Sequence, residues 1–228
     1  MPIFKRSHVH LTNQLFFGNI VHSVLEECLE NDKKVDHTEL IDSYVSNVAI
    51  YDPENKIPQE LISVGSQILD EFYDEYQDVN FNIYDKEYGF SFVIGNYFVV
   101  GYMDRIDFIG EDSIKIIDYK TGKWEVSQKG IKDNLQLGIY ALALSQVFPD
   151  KNITGELYYL RSGKRKSHDF SKEDIENVKV KLIESILEVV NDNSFHPTKN
   201  TFTCSFCEHA KSGACNTGVF RNKQRAKA

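Results

Sequence analysis

Apolar and polar positions alternate along the middle of the chain and recur at helical spacing on either side of it. From Leu15 to Leu29 the residues Phe17, Val21, Val24, Leu25, Cys28 and Leu29 fall on one helical stripe, which also carries Gly18 and His22. A second helix is expected from Asp36, where Asp-His-Thr-Glu makes a capping-box pattern ahead of Leu40, Ile41, Tyr44, Val45 and Val48. A third begins near Pro58 and presents Leu61, Ile68, Leu69, Phe72 and Tyr76. Together these three read as a helical flap over a sheet.

The period then shortens to two. Strands are expected from Glu87 to Ile94, Tyr97 to Ile109 and Ser113 to Thr121, with Gly95-Asn96 and Gly110-Glu111-Asp112 as the turns. A helix from Asp133 to Phe148, stopped by Pro149, is apolar nearly all round and should be buried against the sheet. A strand from Ile153 to Arg161 turns at Ser162-Gly163 into a return strand ending near Phe170. Ser171 with Asp174 caps a last long helix through Val190. This order predicts an α/β fold with a central mixed sheet flanked by helices. It divides into a helical segment (14–80), a core (81–193) and a cysteine-containing tail (194–228), read together as one domain over 1–228.

Within that pattern some charges are misplaced. Asp104 shares a strand face with Phe98, Val100, Tyr102, Ile106 and Phe108, and Asp118 with Lys120 shares one with Ile114 and Ile116. A carboxylate among large apolar side chains costs several kcal/mol (roughly) unless a cation, a metal or hydrogen bonds compensate it. The plain alternative is a cross-strand ion pair of Asp104 with Lys120. Two carboxylates and the His22 imidazole on a rigid frame offer hard oxygen ligands and one nitrogen, a set suited to Mg²⁺ or Mn²⁺. A lysine beside such a metal can orient a water and neutralise charge growing on a scissile phosphate.

Composition narrows the setting. A net charge of −8 argues against a protein that coats nucleic acid without specificity, but basic strips remain at Lys120, Lys123, Lys129 and Lys132, and again at Arg161, Lys164, Arg165 and Lys166. No apolar run is long enough to span a bilayer, and Met1 to Phe17 has no signal-peptide core, which leads us to expect a cytoplasmic protein without a membrane partner. Three of the four cysteines, Cys204, Cys207 and Cys215, crowd together at ligand-like spacing. No phosphate-binding loop of the G-x-x-x-x-G-K-[ST] kind is present, so any unwinding of a duplex would need a partner.

Four motifs in order resemble the RecB-like branch of the PD-(D/E)XK nuclease superfamily. They are Gly18 with His22 (G-x-x-x-H), the run GYMDRID around Asp104, Asp118-Tyr-Lys120, and Gln136 with Tyr140 (Q-x-x-x-Y). The resemblance covers about Phe17 to Cys215 and implies a restriction-endonuclease-like core. It also implies that His22, Asp104 and Asp118 bind the metal with a main-chain carbonyl near Tyr119, and that Lys120 is the catalytic lysine. Gln136 and Tyr140 would then hold DNA or that lysine. Asp107 reads as a structural partner of Arg105, and Glu87 as an acid supporting the metal ligands from behind. The implied activity is a DNA exonuclease acting on single-stranded ends, in recombination, repair, phage DNA processing or CRISPR adaptation, with a helicase or CRISPR-adaptation partner. A structure-specific endonuclease and a nonhydrolytic nucleic-acid-binding module are the alternatives.

The cysteine triplet resembles the one that, in AddB and in CRISPR-associated nucleases of that branch, joins an upstream cysteine around a [4Fe–4S] cluster. Here no cysteine precedes His22, and Cys28 is the one remaining thiol. Zinc held with His196, His209 or Cys28, and a triplet that binds nothing, stay open beside the cluster.

Overall fold

In the computed structural model, residues 13–194, 196–197, 200–212 and 214–215 are described. Most of the expected Met1–Phe17 segment and the end of the cysteine tail lie outside them. The chain divides into two units, Met1–Ile183 and Glu184–Ala228.

The first unit opens with three helices, α1 (Asn13–Cys28), α2 (His37–Tyr51) and α3 (Gln59–Tyr76). Asp36 caps α2 as its sequence pattern requires, its side chain accepting from the Glu39 N–H at 2.9 Å. Five strands follow, interrupted by one helix: β1 (Ile83–Ile94), β2 (Tyr97–Ile109), β3 (Ser113–Lys120), α4 (Leu135–Val147), β4 (Asn152–Tyr159) and β5 (Lys164–Phe170). They form one sheet in the order β1-β2-β3-β4-β5. Every neighbouring pair is antiparallel except β3 and β4, which run parallel and are joined through α4 as a crossover. The mixed sheet and its helices are those the sequence predicts.

β1 starts at Ile83, earlier than the expected Glu87, and its pairing with β2 shifts register between Ile83 and Asp85. Polar Asp85 and Lys86 interrupt the period-two pattern at that irregularity, which is why alternation alone misses the strand's first residues.

The sheet has two differently packed faces. Ile117 and Tyr119 of β3, with Tyr158 and Leu160, join Phe17, Leu25, Leu40, Leu69 and Phe72 of the three helices in one core cluster. On the other face Ile106, Ile116 and Gly155 lie side by side in register, and a Cβ on Gly155 would sit 3.4 Å from the Leu137 Cβ of α4. Each Ile or Leu fully buried this way contributes about 1.5–3 kcal/mol, so a helix as apolar as α4 has to lie under cover. α5 (Lys172–Asn191) closes on α4 where Gly138 leaves room, since a Cβ there would come within 2.6 Å of Val178.

One expectation is overturned here. Of the apolar residues sharing the face of Asp104, Ile106 is buried and Phe108 half-buried, but Phe98, Val100 and Tyr102 are 80%, 72% and 66% exposed. β3 pairs with β2 only from Arg105 to Ile109, so beyond that point the β1–β2 hairpin continues as a two-stranded ribbon, and among the described residues nothing covers these three side chains.

In the second unit, Cys204 lies in α6 (Thr201–Phe206), Cys207 between it and α7 (Glu208–Lys211), and Cys215 beyond α7. Cys204 is buried, Cys207 and Cys215 are half-buried, and the Cys215 N–H donates to the His209 carbonyl at 2.9 Å.

Candidate active site

The site gathers where the C-terminal end of β3 meets β2, α1 and α4. β2 and β3 pair as far as Arg105 with Ile117, and continuing that register sets Asp104 opposite Asp118. The Tyr119 N–H donates to Asp104 Oδ2 at 2.7 Å, which pins the carboxylate across the strand gap. α1 reaches this point because Gly18 lets it: a Cβ there would lie 3.3 Å from Thr121 Oγ1, tighter than ordinary contact. One helical turn on, His22 Nε2 donates to the Tyr119 carbonyl at 3.0 Å, and its Nδ1 lies 3.5 Å from Asp104 Oδ2. The imidazole thus has an oxygen acceptor at each nitrogen. Burial works to lower the His22 pKa, but the Asp104 hydrogen bond and the charges of Asp104, Asp118 and Glu87 outweigh it, and the net direction is up.

Glu87 completes the cluster from β1. It sits at φ 47, a left-handed conformation rarely adopted by a residue with a side chain. Its carboxylate, Asp104 and His22 offer ligand atoms that all lie within 4.8 Å of one another, the one such group among the described residues. The sequence marks Glu87 only as a supporting acid, because nothing in it announces the backbone conformation that turns this side chain inward. Burial raises the Glu87 pKa, with Asp104 and Glu26 adding to the effect.

Asp118 is 2% exposed. Burial first and the neighbouring Asp104 second push its pKa up to about 6, although Lys120 and His22 pull the other way. Lys120 makes an ion pair with Asp118 Oδ2, not with Asp104, so the plain cross-strand pairing does not occur. Its ammonium also donates to Gln136 Oε1 at 3.0 Å, and Gln136 Nε2 in turn donates to the Tyr140 hydroxyl at 2.8 Å. Gln136 and Tyr140 are one turn apart on α4, where the Asn134 side chain caps the helix by accepting from the Leu137 N–H at 3.0 Å. The pair therefore forms a relay that fixes the lysine.

Three carboxylates, one imidazole and one ammonium crowd this corner, so negative charge exceeds what the neighbouring cation neutralises. That imbalance, with a carbonyl oxygen and a ring nitrogen turned toward it, fits a divalent cation. Asp118 stands apart from the His22–Glu87–Asp104 group and is held by the lysine.

Asp107 lies on the opposite face. Arg105 donates to its Oδ2 at 2.8 Å and to the Tyr119 hydroxyl at 2.8 Å, and the guanidinium lies 4.9 Å from the Phe81 ring centroid. Several cations of the expected basic strips are also tied internally: Arg165 pairs with Glu75 at 2.6 Å, while Lys164 and Lys166 both pair with Glu125. Cys28 is a core residue of α1 whose thiol is pushed up by burial and donates to the Glu39 carbonyl at 3.7 Å.

The family model described as the PD-(D/E)XK nuclease superfamily matches residues 6–212. The chain belongs to that superfamily. It is therefore a nuclease, of a family whose members typically use Mg²⁺ or Mn²⁺. Among solved structures, a protein from Eubacterium rectale assigned as an exonuclease is 12% identical over 91% of this chain and 76% of its own, with a TM-score of 0.49. The protein SSO0001 is 18% identical over 88% of this chain and 94% of its own, with a TM-score of 0.41. Neither likeness adds to what the family match carries. No curated protein matches the chain in sequence. No helix among the described residues is long and apolar enough to cross a membrane.

Proposed function

We propose that this nuclease is a divalent-metal-dependent DNA exonuclease of RecB-like type that acts on single-stranded ends, in a recombination, repair, phage DNA-processing or CRISPR-adaptation setting. The observation that carries the metal-dependent reading is the convergence of His22, Asp104 and Glu87, with Asp118 across the strand gap and the Tyr119 carbonyl at the imidazole.

His22, Asp104, Asp118 and the Tyr119 carbonyl are the residues that would hold the ion, with Glu87 completing the group. A divalent ion there supplies a Lewis acid for the phosphoryl oxygen and lowers the pKa of water. The chain's own part is positional. Asp104 is fixed by the Tyr119 N–H, with a carboxylate oxygen within 4.8 Å of the ligand atoms of His22 and Glu87. Lys120, held by Gln136 and through it by Tyr140, keeps its positive charge beside Asp118, where it can orient a water and offset charge building on the phosphate.

For the tail, the resemblance of the Cys204, Cys207 and Cys215 triplet to that of RecB-like nucleases favours a [4Fe–4S] cluster ahead of zinc, although its last gap is longer than theirs. Cys28 would have to give up both its proton and its bond to Glu39 to act as the fourth ligand. An absorption spectrum of anaerobically purified protein with metal analysis decides between them: a broad shoulder near about 400 nm supports the cluster, and zinc without it rejects it.

The activity is tested by incubating the protein with end-labelled single-stranded, duplex and circular DNA in Mg²⁺ or Mn²⁺, beside Asp118→Ala. Shortening of single strands from an end is expected. Cutting of circles would replace exonuclease by endonuclease action, and cleavage unchanged in Asp118→Ala would reject this site.

A further inference from the structure

The nuclease site accounts for Lys120 but not for the segment that follows it. Trp124, four residues on, is 87% exposed and is the chain's sole tryptophan. An indole this open gains nothing from the core, and left-over aromatics of this kind usually hang from loose loops. This one does not.

Both residues after it are fastened. Glu125 accepts from Ser162 Oγ at 2.9 Å, from Lys164 at 3.3 Å and from Lys166 at 3.1 Å. The Val126 N–H donates to the Tyr159 hydroxyl at 3.0 Å, and its carbonyl accepts from Lys166. Before it, the Thr121 carbonyl accepts from Arg161, whose guanidinium lies 5.1 Å from the Phe17 ring centroid. The loop is thus tied to the β4–β5 turn before, and to β4, β5 and that turn after, an indole that it presents to solvent. Four residues of chain hold the Cα atoms of Trp124 and Lys120 within about 14 Å of each other.

The local charge matches a phosphate chain although the whole protein is acidic. Glu125 faces two lysines, and Lys123 and Lys129 are exposed and form no ion pair among the described residues. Within this loop and its partners one acid, Glu125, stands against four lysines, Lys123, Lys129, Lys164 and Lys166, although the whole chain has a net charge of −8. An exposed indole on a loop fastened before and after it, with unpaired lysines within five residues in sequence, is the combination that binds single strands, where bases stack on aromatic faces and cations follow the backbone. In a duplex the base faces are already stacked on one another and are closed to it.

We infer that Trp124 is a positioning residue that stacks on an unpaired base of the nucleic-acid substrate, close to the phosphate that Lys120 addresses. The inference rests on the proposed single-strand activity and names the group that reads it.

Because no other tryptophan is present, indole emission reports on this position alone. The cleavage-deficient Asp118→Asn protein is titrated with Mg²⁺ and three probes: oligo(dT), the same oligomer carrying abasic residues, and a blunt duplex. Fluorescence anisotropy of a labelled strand measures binding independently. Strong quenching by oligo(dT), weak quenching by the abasic strand and the duplex, and roughly ten-fold weaker binding of Trp124→Ala are expected, with Trp124→Phe recovering most of the loss. In the active protein Trp124→Ala should raise KM for single strands more than it lowers kcat. Unchanged emission at concentrations where anisotropy shows saturation, or equal affinity of Trp124→Ala, overturns the inference. If wild type cuts none of the DNA substrates, it is the proposed activity that fails instead, whatever the emission does.

Discussion

Asp104 and Asp107 lie three residues apart on one strand, both largely buried, and the structure treats them in opposite ways. Asp107 points to the helical face, where Arg105 meets it at 2.8 Å between aromatic rings. Asp104 points to the other face, toward Glu87, Asp118 and a histidine, with one backbone N–H as its donor. One charge is matched by a cation of the same strand, and the other is placed among charges of its own sign. The first arrangement holds a fold together. The second makes sense where a further cation is to be bound.

Breaking the mismatched side should have the largest effect on activity and little on the fold. Asp118→Asn is expected to lower cleavage by three orders of magnitude or more, about 4 kcal/mol at the transition state. Its melting temperature in chelator should be no lower than that of wild type, because a buried carboxylate whose ionisation is already disfavoured is removed. Single-turnover kinetics and calorimetry test the two halves separately.

The matched side should fail the other way round. Asp107→Ala leaves the Arg105 guanidinium buried without its carboxylate, and a loss of about 3 kcal/mol in urea unfolding is expected. The fraction that stays folded should cut DNA at close to the wild-type rate. A loss of cleavage as deep as that of Asp118→Asn would erase the contrast between Asp107 and the acids of the site.

Gln136→Ala removes the acceptor that steadies Lys120 and the partner of Tyr140. A ten-fold drop in kcat, about 1.4 kcal/mol, with KM little changed is the expected result. A larger change in KM than in kcat would move Gln136 from holding the lysine to holding DNA.

The smallest effect belongs to an acid that is matched several times over. Asp174 accepts from the Ser171 N–H at 3.1 Å and Oγ at 2.8 Å and pairs with Lys132 at 2.8 Å, and these donors hold its carboxyl well below the usual range. Asp174→Asn should cost about 1 kcal/mol as a lost helix cap. Since the folded-state pKa is depressed, this stability is present above the unfolded value of about 4 and is lost as pH falls through and below it. The gap between wild type and variant in thermal melts should therefore narrow toward acid pH.

How much of this was legible before folding varies by residue. Asp36 and the Ser171–Asp174 box announce helix starts through short-range hydrogen bonding, and the structure has those bonds. The alternation from Tyr97 to Ile109 marks β2 to the residue. Alternation reports which side chains share a face, but not whether anything covers it, and so Phe98, Val100 and Tyr102 could not be recognised as exposed. That depended on where β3 stops pairing. Glu87 was legible as an acid in a strand, while its left-handed backbone, and with it the approach to His22, was not. Trp124 stood in plain view in the sequence, yet its significance depends on Glu125 and Val126 being tied down by residues 33 to 41 positions away.

The chain by itself determined the order of helices and strands, the misplaced acids with their lysine, and the family resemblance, because each is written in spacing of a few residues. Only the tertiary structure decided that Lys120 pairs with Asp118 rather than Asp104, that Gln136 and Tyr140 steady it, and that Glu87 joins His22 and Asp104. The physical reason is the same in each case: these contacts join strands and helices that are distant in sequence, and register and backbone twist, which no local pattern carries, set which charge meets which.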